Sequence, residues 1–315
     1  MNVFAKKDGK KGSFGQIKRQ NLLFYSLGLA LPLLQFIVFY IAVNLNVFRL
    51  AFSEYNYFGE FVGKYTFAGW KNFAWFIGEI KNEPYFLRSV LNGLMIYGIG
   101  LCTTLLTLLI SFFIYKRMPC AKFFTVMLMI PQMISGVVTT MVFKYFMEDG
   151  VSAILEKITG EFHFGVFSGN NTTAMLLTMI FYGAWFGMGG GILTYASVMR
   201  GINQGVIEAA EIDGVTVMQE FFYIVIPMIW PTFATFFYLG VSGILTADCG
   251  QYVFFQGSAP QELYTFGYWI FLHTVSQKLS DYPKVAAVGL SLSAVVIPMT
   301  LIMRKILFKY GPSDE

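Results

Sequence analysis

The chain has 315 residues, of which 56% are hydrophobic, 18% aromatic and only 13% charged, with a mean hydropathy of +0.60. Values this apolar exclude an ordinary soluble globular domain and call for lipid as the solvent. The net charge of +4 comes mainly from the two ends, at Lys6, Lys7, Lys10, Lys11, Lys18 and Arg19, then Arg304, Lys305 and Lys309, where anchoring beside anionic lipid accounts for it without nucleic acid.

In chain order, a basic tail over residues 1–21 leads into the apolar run Leu22–Val43. That run imitates a secretory leader, but it is longer than an h-region and no small-residue cleavage site follows, so it is read as a retained first span. A long connection, Asn44 to Ser89, follows, with Trp70, Trp75 and Phe76 expected as interfacial anchors. Within it, Gly59-Glu60-Phe61-Val62-Gly63-Lys64-Tyr65 approaches a phosphate-binding loop, yet it is one residue short and ends in tyrosine where a magnesium-binding hydroxyl belongs. No phosphate-binding loop is therefore expected in this chain.

The next apolar runs, Val90–Tyr115 and Phe123–Phe146, are each long enough to cross a hydrocarbon core of roughly 30 Å at about 1.5 Å per residue. They are joined by the short link Lys116 to Lys122. After Met147 to Thr172 comes a fourth span, Thr173–Met199, whose Gly187, Gly189, Gly190 and Gly191 read as a close-packing or bending site. The loop Arg200 to Tyr223 then precedes a fifth span, Ile224–Ala247. The connection Asp248 to Lys284 carries Tyr264, Tyr268 and Trp269, again expected at the interface, and the sixth span is Val285–Phe308. The expected fold class is all-α integral membrane, with six transmembrane helices in a membrane domain over 22–308 and a short tail over 309–315.

Orientation follows from the basic residues, because loops on the cytoplasmic side retain Lys and Arg in excess. Thirteen of the 22 lie in the N-terminal tail, the Lys116 to Lys122 link, the Arg200 to Tyr223 loop and the C-terminal tail, so both termini are expected in the cytoplasm of a multi-pass bacterial inner-membrane protein. Cys102, Cys120 and Cys249 show no metal-like spacing and read as packing residues. His163 and His273 stand apart without carboxylates at ligand spacing, so no zinc or catalytic site is expected. The sequons in Asn170-Asn171-Thr172-Thr173 read as chance. No charge falls in the middle of a span, Lys144 and Asp248 lying near span ends, which argues against a proton-coupled symporter.

The loop between spans four and five departs from the positive-inside trend, with Glu208, Glu211, Asp213 and Glu220 against the single Arg200. It reads Glu208-Ala209-Ala210-Glu211-Ile212-Asp213-Gly214, then nine residues, then Ile224-Val225-Ile226-Pro227, with Pro231 beyond. Physically this is a short amphipathic helix, a sharp turn at glycine, a second helical stretch and a proline where the next span begins. Ala209 and Ala210 are small enough for close approach by a partner, Glu208 offers a charge for a basic groove, and Glu220 is expected to be exposed.

That spacing resembles the EAA motif of permease subunits of binding-protein-dependent ABC importers, in their carbohydrate-uptake, maltose-type branch. Ile226 stands where the family has leucine, Val215 where the sugar branch usually has alanine, and Asn203 where proline is common, which would loosen the helix start. The resemblance covers the six-span plan and is strongest over residues 180 to 245. It implies a type I importer permease fold in which Glu208, Ala209, Ala210, Asp213 and Gly214 couple to the ATPase. It also implies two nucleotide-binding ATPase subunits, a second homologous permease, an extracytoplasmic solute-binding protein and a carbohydrate substrate. No cofactor is expected in this chain, ATP and Mg²⁺ being used by the partner, and the chain is not expected to be an enzyme.

Polar and aromatic groups at helical spacing, Asn92, Gln132, Ser135, Tyr182, Trp185 and Tyr238, are the substrate-path candidates, because sugars are held by hydrogen bonds and by stacking on rings. The same residues could equally glue spans together. Two alternatives remain open on sequence. One is an importer for another polar solute, such as a glycerol-phosphate-type substrate. The other is a solitary secondary transporter, which should show broken helices and buried charges.

Overall fold

The computed structural model describes residues 10–59, 61–160, 165–169, 171–248, 250–275 and 278–312. A chain in lipid must close its backbone hydrogen bonds within each segment, and helices do so. The first rod comprises α1 (Lys10–Gln35), a π-helical stretch (Phe36–Ala42) and α2 (Val43–Ala51). Next come a two-stranded antiparallel hairpin of β1 (Ser53–Tyr55) and β2 (Tyr65–Phe67), then α3 (Lys71–Asn82) and α4 (Pro84–Tyr115). The middle of the chain forms α5 (Ala121–Met133), α6 (Gly136–Tyr145), a π turn (Phe146–Gly150), α7 (Val151–Thr159) and α8 (Thr172–Met199). Short helices α9 (Gln204–Ile212) and α10 (Val217–Glu220), a π turn (Phe221–Val225) and α11 (Ile226–Met228) lead to α12 (Trp230–Gly243). The chain closes with α13 (Gln251–Phe255), a 3₁₀ turn (Gln261–Leu263), α14 (Phe266–Val275) and α15 (Asp281–Tyr310).

Four helical rods are long and apolar enough to cross a membrane unbroken, Phe24–Ala51, Tyr85–Tyr115, Thr172–Met199 and Asp281–Tyr310. The third and fifth expected spans are instead broken. Ala121–Met133 and Gly136–Thr159 meet at 101°, and Val217–Met228 and Trp230–Gly243 at 72°. The first break has a local cause. Pro131 has no N–H to bond the carbonyl of Met127, and Ile134 and Ser135 take extended angles, with ψ of 148° and 130°. At the second, Pro227 and Pro231 each remove a helical donor, one on either side of Ile229. Broken helices were the feature a solitary transporter should show, so that criterion fails to separate the alternatives.

α4 packs along α8, α12 against α15, and α15 also against α2 and α3. The glycines of α8 let its neighbours approach: a Cβ at Gly189 would press on the carbonyl of Leu128 in α5, and one at Gly191 on Thr107 of α4. The Asn44 to Ser89 connection is folded rather than open. Asn72 is buried and its amide donates to the carbonyls of Ala51 (2.9 Å) and Ser53 (2.7 Å), tying α3 to the start of the hairpin. Gly59 and Gly63 turn the hairpin loop with φ of +89° and +77°, while Glu60 lies outside the described residues.

Several rings expected at the interface are core residues. Tyr268 and Trp269 are buried, Trp269 packs with Phe76 and Phe86, and Trp75 stacks on it at 6.4 Å, which leaves Trp70 exposed. The reason is that the Asp248 to Lys284 connection folds α13 and α14 back onto the bundle, so Phe254, Phe255, Leu263 and Tyr268 join Met175, Met179 and Tyr182 of α8 in one cluster. The cysteines also depart from expectation: Cys102 and Cys120 are exposed, and Cys249 lies outside the described residues.

Gly93 of α4 touches the backbone at the end of α12, where an added Cβ would overlap the carbonyl of Ile244. Backbone cannot swing aside as a side chain can. Gly93→Ala is therefore expected to cost about 1–3 kcal/mol of stability, whereas Gly98→Ala, on the same helix but facing open space, should be neutral or slightly stabilising. Thermal unfolding of the two variants in detergent checks the contrast.

Candidate functional site

The motif loop is built from its caps inward. Asn203 ends the turn after α8, and its side-chain oxygen accepts from the backbone N–H of Gly205 at 2.9 Å. The residue expected to loosen the helix start therefore caps it. α9 turns Ile207 and Ala210 into the protein and leaves Glu208, Ala209 and Asp213 exposed, with Ile212 at its tip 86% exposed. Ala210 is thus an anchor of the helix, and the outward face of the loop is formed by Glu208, Ala209, Ile212 and Asp213. Gly214 has φ +77°, a left-handed angle that L side chains adopt only under strain. Beyond it, Thr216 and Gln219 form a reciprocal capping box at the start of α10. Among the described residues Glu208 makes no ion pair, so its carboxylate faces outward free.

Glu220 overturns its expectation. Its side chain is only 4% exposed and accepts from Lys116 Nζ at 2.8 Å, while Glu211 of α9 accepts from the same ammonium at 3.2 Å. Lys116 caps the end of α4, so one cation reaches both arms of the loop. Burial works against the ammonium, but the bonds to Glu220 and Glu211 outweigh it and raise its pKa above the usual 10.5. The acidity of the loop, odd for its predicted side of the membrane, is explained in part by this lysine. Beside α9 opens a groove of about 1550 Å³ bordered by Lys116, Arg117, Lys122 and Arg200.

Four of the six substrate-path candidates converge on the α5–α6 break. Gln132 is exposed and donates to the carbonyl of Phe186 at 2.8 Å, and Ser135 is exposed at the bend itself. Tyr182 is buried, sharing a hydrogen bond of 2.7 Å with the Thr140 hydroxyl, and Trp185 stacks on Phe143 at 6.2 Å. The other two lie elsewhere. Asn92 is buried and its amide donates to the carbonyls of Glu262 (2.9 Å) and Tyr264 (3.0 Å), and Tyr238 is half-buried on α12.

A cavity of about 340 Å³ lies between α4, α8 and α12, and none of the six lines it. Its walls include Thr103, Thr104 and Thr107 of α4, Gly183, Gly187 and Gly191 of α8, and Tyr195, which is 2% exposed and whose hydroxyl finds no partner among the described residues. Two patterns marked this face in the sequence, glycine every fourth residue along α8 and the threonine cluster of α4. His273 stacks on Trp269 at 4.1 Å, His163 lies outside the described residues, and no group of His, Cys, Asp and Glu among the described residues could hold a metal.

With this geometry in hand, comparison with known proteins is informative. The model of the family described as binding-protein-dependent transport system inner membrane component matches residues 116–309. The chain is 25% identical over 280 residues to the arabinooligosaccharides transport system permease protein AraP of Bacillus subtilis, covering 87% of this chain and 85% of that one. It is 22% identical over 265 residues to the multiple sugar-binding transport system permease protein MsmF of Streptococcus mutans, covering 81% and 90%. Its fold matches a chain of a bacterial ABC transporter involved in import of the acidic polysaccharide alginate, with a TM-score of 0.74 at 18% identity, over 95% of this chain and 99% of that one. The match begins at the lysine that holds the acidic loop and runs through α15, so the chain belongs to the family of binding-protein-dependent transport system inner membrane components.

Proposed function

We propose that this chain is a channel-forming subunit of an ATP-driven importer, translocating a sugar or oligosaccharide handed over by an extracytoplasmic binding protein. The observation that carries the coupling part is the outward face of α9. A capped helix projects Glu208, without an ion pair among the described residues, with Ala209, Ile212 and Asp213, ahead of a left-handed glycine turn. A charge flanked by small and apolar surface suits a groove on a partner that carries a basic residue. The partner is a nucleotide-binding subunit, and a second permease of the same family completes the pathway with its own ATPase. Closure of the two ATPases on ATP draws the paired loops together and opens the cavity outward, and hydrolysis resets it.

The substrate class is supported by the relatives, which are named for arabinooligosaccharides and for multiple sugars, and by the alginate transporter, also solved with a periplasmic protein bound to alginate pentasaccharide. The broken third span fits this use. Irregular backbone at membrane depth persists only where protein covers it or where it lines a wet cavity, and Ile134, Ser135 and Gln132 are exposed on this chain. The break therefore faces the second subunit or the pathway, with hydrogen-bonding groups for hydroxyls and the nearby rings of Tyr182 and Trp185 for stacking.

Co-expression with the partner permease and ATPase, followed by uptake of labelled oligosaccharides into proteoliposomes loaded with ATP, tests this reading. The purified chain alone should hydrolyse no ATP. Glu208→Lys should cost roughly 2–5 kcal/mol of ATPase binding, because it leaves a groove cation facing a like charge. Gly214→Val should cost about 1–3 kcal/mol through the backbone alone, since nothing crowds its Cβ. Normal assembly and uptake in both variants would sink the assignment of α9.

Orientation is tested in a cysteine-free background. Phe58→Cys, in the hairpin loop, should label from outside intact cells, and Ile212→Cys only after permeabilisation, both positions being almost fully exposed. The reverse pattern would invert the topology.

A further inference from the structure

α9 is a nine-residue helix with two buried residues, Ile207 and Ala210, and so little apolar surface cannot by itself fix its angle to the bundle. Among the described residues, the ion pairs made by the loop both go to Lys116, which holds Glu211 before the Gly214 turn and Glu220 after it. Because its two carboxylates come from opposite arms of the loop, the lysine determines the turn and the helix together. It also decides which span they are attached to, since Lys116 is the cap of α4 and not part of α8 or α12, which flank the loop in sequence.

α4 is unbroken over 32 residues, about 48 Å at 1.5 Å per residue. At its far end Arg88 pairs with Glu262 at 3.4 Å, and Asn92 donates to the carbonyls of Glu262 and Tyr264. A displacement of α9 passed along the chain into α12 must cross the 72° break at Ile229. Passed through Lys116 into α4, it meets no break before the Glu262–Tyr264 segment on the opposite face. The straight rod is the stiffer route.

We propose that Lys116 is a positioning residue for energy coupling. It locks the acidic loop to the end of α4, so that α4 carries the movement of α9 across the membrane to the segment between α13 and α14. This rests on the importer reading above, and it adds a residue outside the loop motif together with a direction of transmission.

Two measurements test it. In the chain alone, with Cys102, Cys120 and Cys249 replaced by serine, spin labels at Ile212→Cys and Leu105→Cys report the distance from α9 to α4, both sites being exposed. Lys116→Met should broaden that distance distribution at least twofold. In the complex with partner permease and ATPase, Lys116→Met should still assemble and hydrolyse ATP but move at least fivefold less sugar per ATP. The exchange Lys116→Glu with Glu220→Lys keeps one cation among two carboxylates, and should recover at least half of the lost ratio, which a merely structural role would not predict.

An unchanged distance distribution and ratio in Lys116→Met, or an exchange no better than either single change, overturns the proposal. Should Lys116→Met fail to insert, Glu211→Gln removes only the exposed half of the pair, and wild-type behaviour there overturns it equally. If label distances respond while the unmodified chain never binds an ATPase, the importer reading falls and takes the coupling role with it, leaving only the lock of the loop to α4. The opposite result removes the positioning role alone.

Discussion

One ammonium between two carboxylates fixes the end of the bundle on which the rest depends. Lys116 lies where α4 stops, and Glu211 and Glu220 reach it from either side of the Gly214 turn. Breaking a buried pair costs more than an exposed one, because the survivor stays desolvated, and Glu220 is nearly sealed from solvent. Beneath it Phe221 and Val225 pack with Leu108, Phe112, Tyr195 and Met199, so the ionic contact and the apolar cluster reinforce one another. Were the lysine absent, the α10 arm would carry an unpaired buried acid and the loop would have reason to swing outward.

The bundle above combines straight and broken rods, and each kind has an evident physical cause. α4 and α8 run straight and lie close, helped by Gly191, which leaves room for the Thr107 side chain, and by Ser111, whose hydroxyl reaches the carbonyl of Ile192 at 3.3 Å. The α5–α6 and α11–α12 breaks follow from prolines that remove backbone donors. Straight helices transmit displacement and broken ones allow local rearrangement, so a transporter gains from holding both in one bundle. The aromatic cluster joining α13 and α14 to α8 closes the far end, where Gln251 donates to the carbonyl of Leu263 and accepts from Thr265.

Buried polar side chains at span ends act here as fasteners. Asn92 and Asn72 both give their amides to backbone carbonyls, and Tyr182 shares a hydrogen bond with Thr140 of a neighbouring helix. In hydrocarbon surroundings such groups must find partners, and turns and the ends of helices and strands supply the free carbonyls. Among the described residues the Tyr195 hydroxyl, beside the cavity between α4, α8 and α12, and the Thr300 hydroxyl of α15 are buried without a partner.

The class of protein and the ladder of apolar runs are legible in the amino-acid order alone, because backbone in lipid must close its hydrogen bonds within its own segment and a run of about 20 apolar residues does so as helix. That order also determined the Glu208 to Gly214 loop, whose caps and positive-φ turn are set by residues within a few positions of one another. Only the tertiary structure decided the rest. Glu220 looks like a solvent-facing acid until Lys116, 104 positions earlier, is folded beside it. Tyr268 and Trp269 have the amphipathic rings of interface anchors, and it is the return of α14 onto the bundle that buries them. Pro227 marks the start of the fifth span, and Pro131 lies inside a third span expected to run unbroken, but the 101° and 72° bends depend on what each half packs against. Local spacing fixes local conformation, whereas pairing and burial depend on which distant segments the fold brings together.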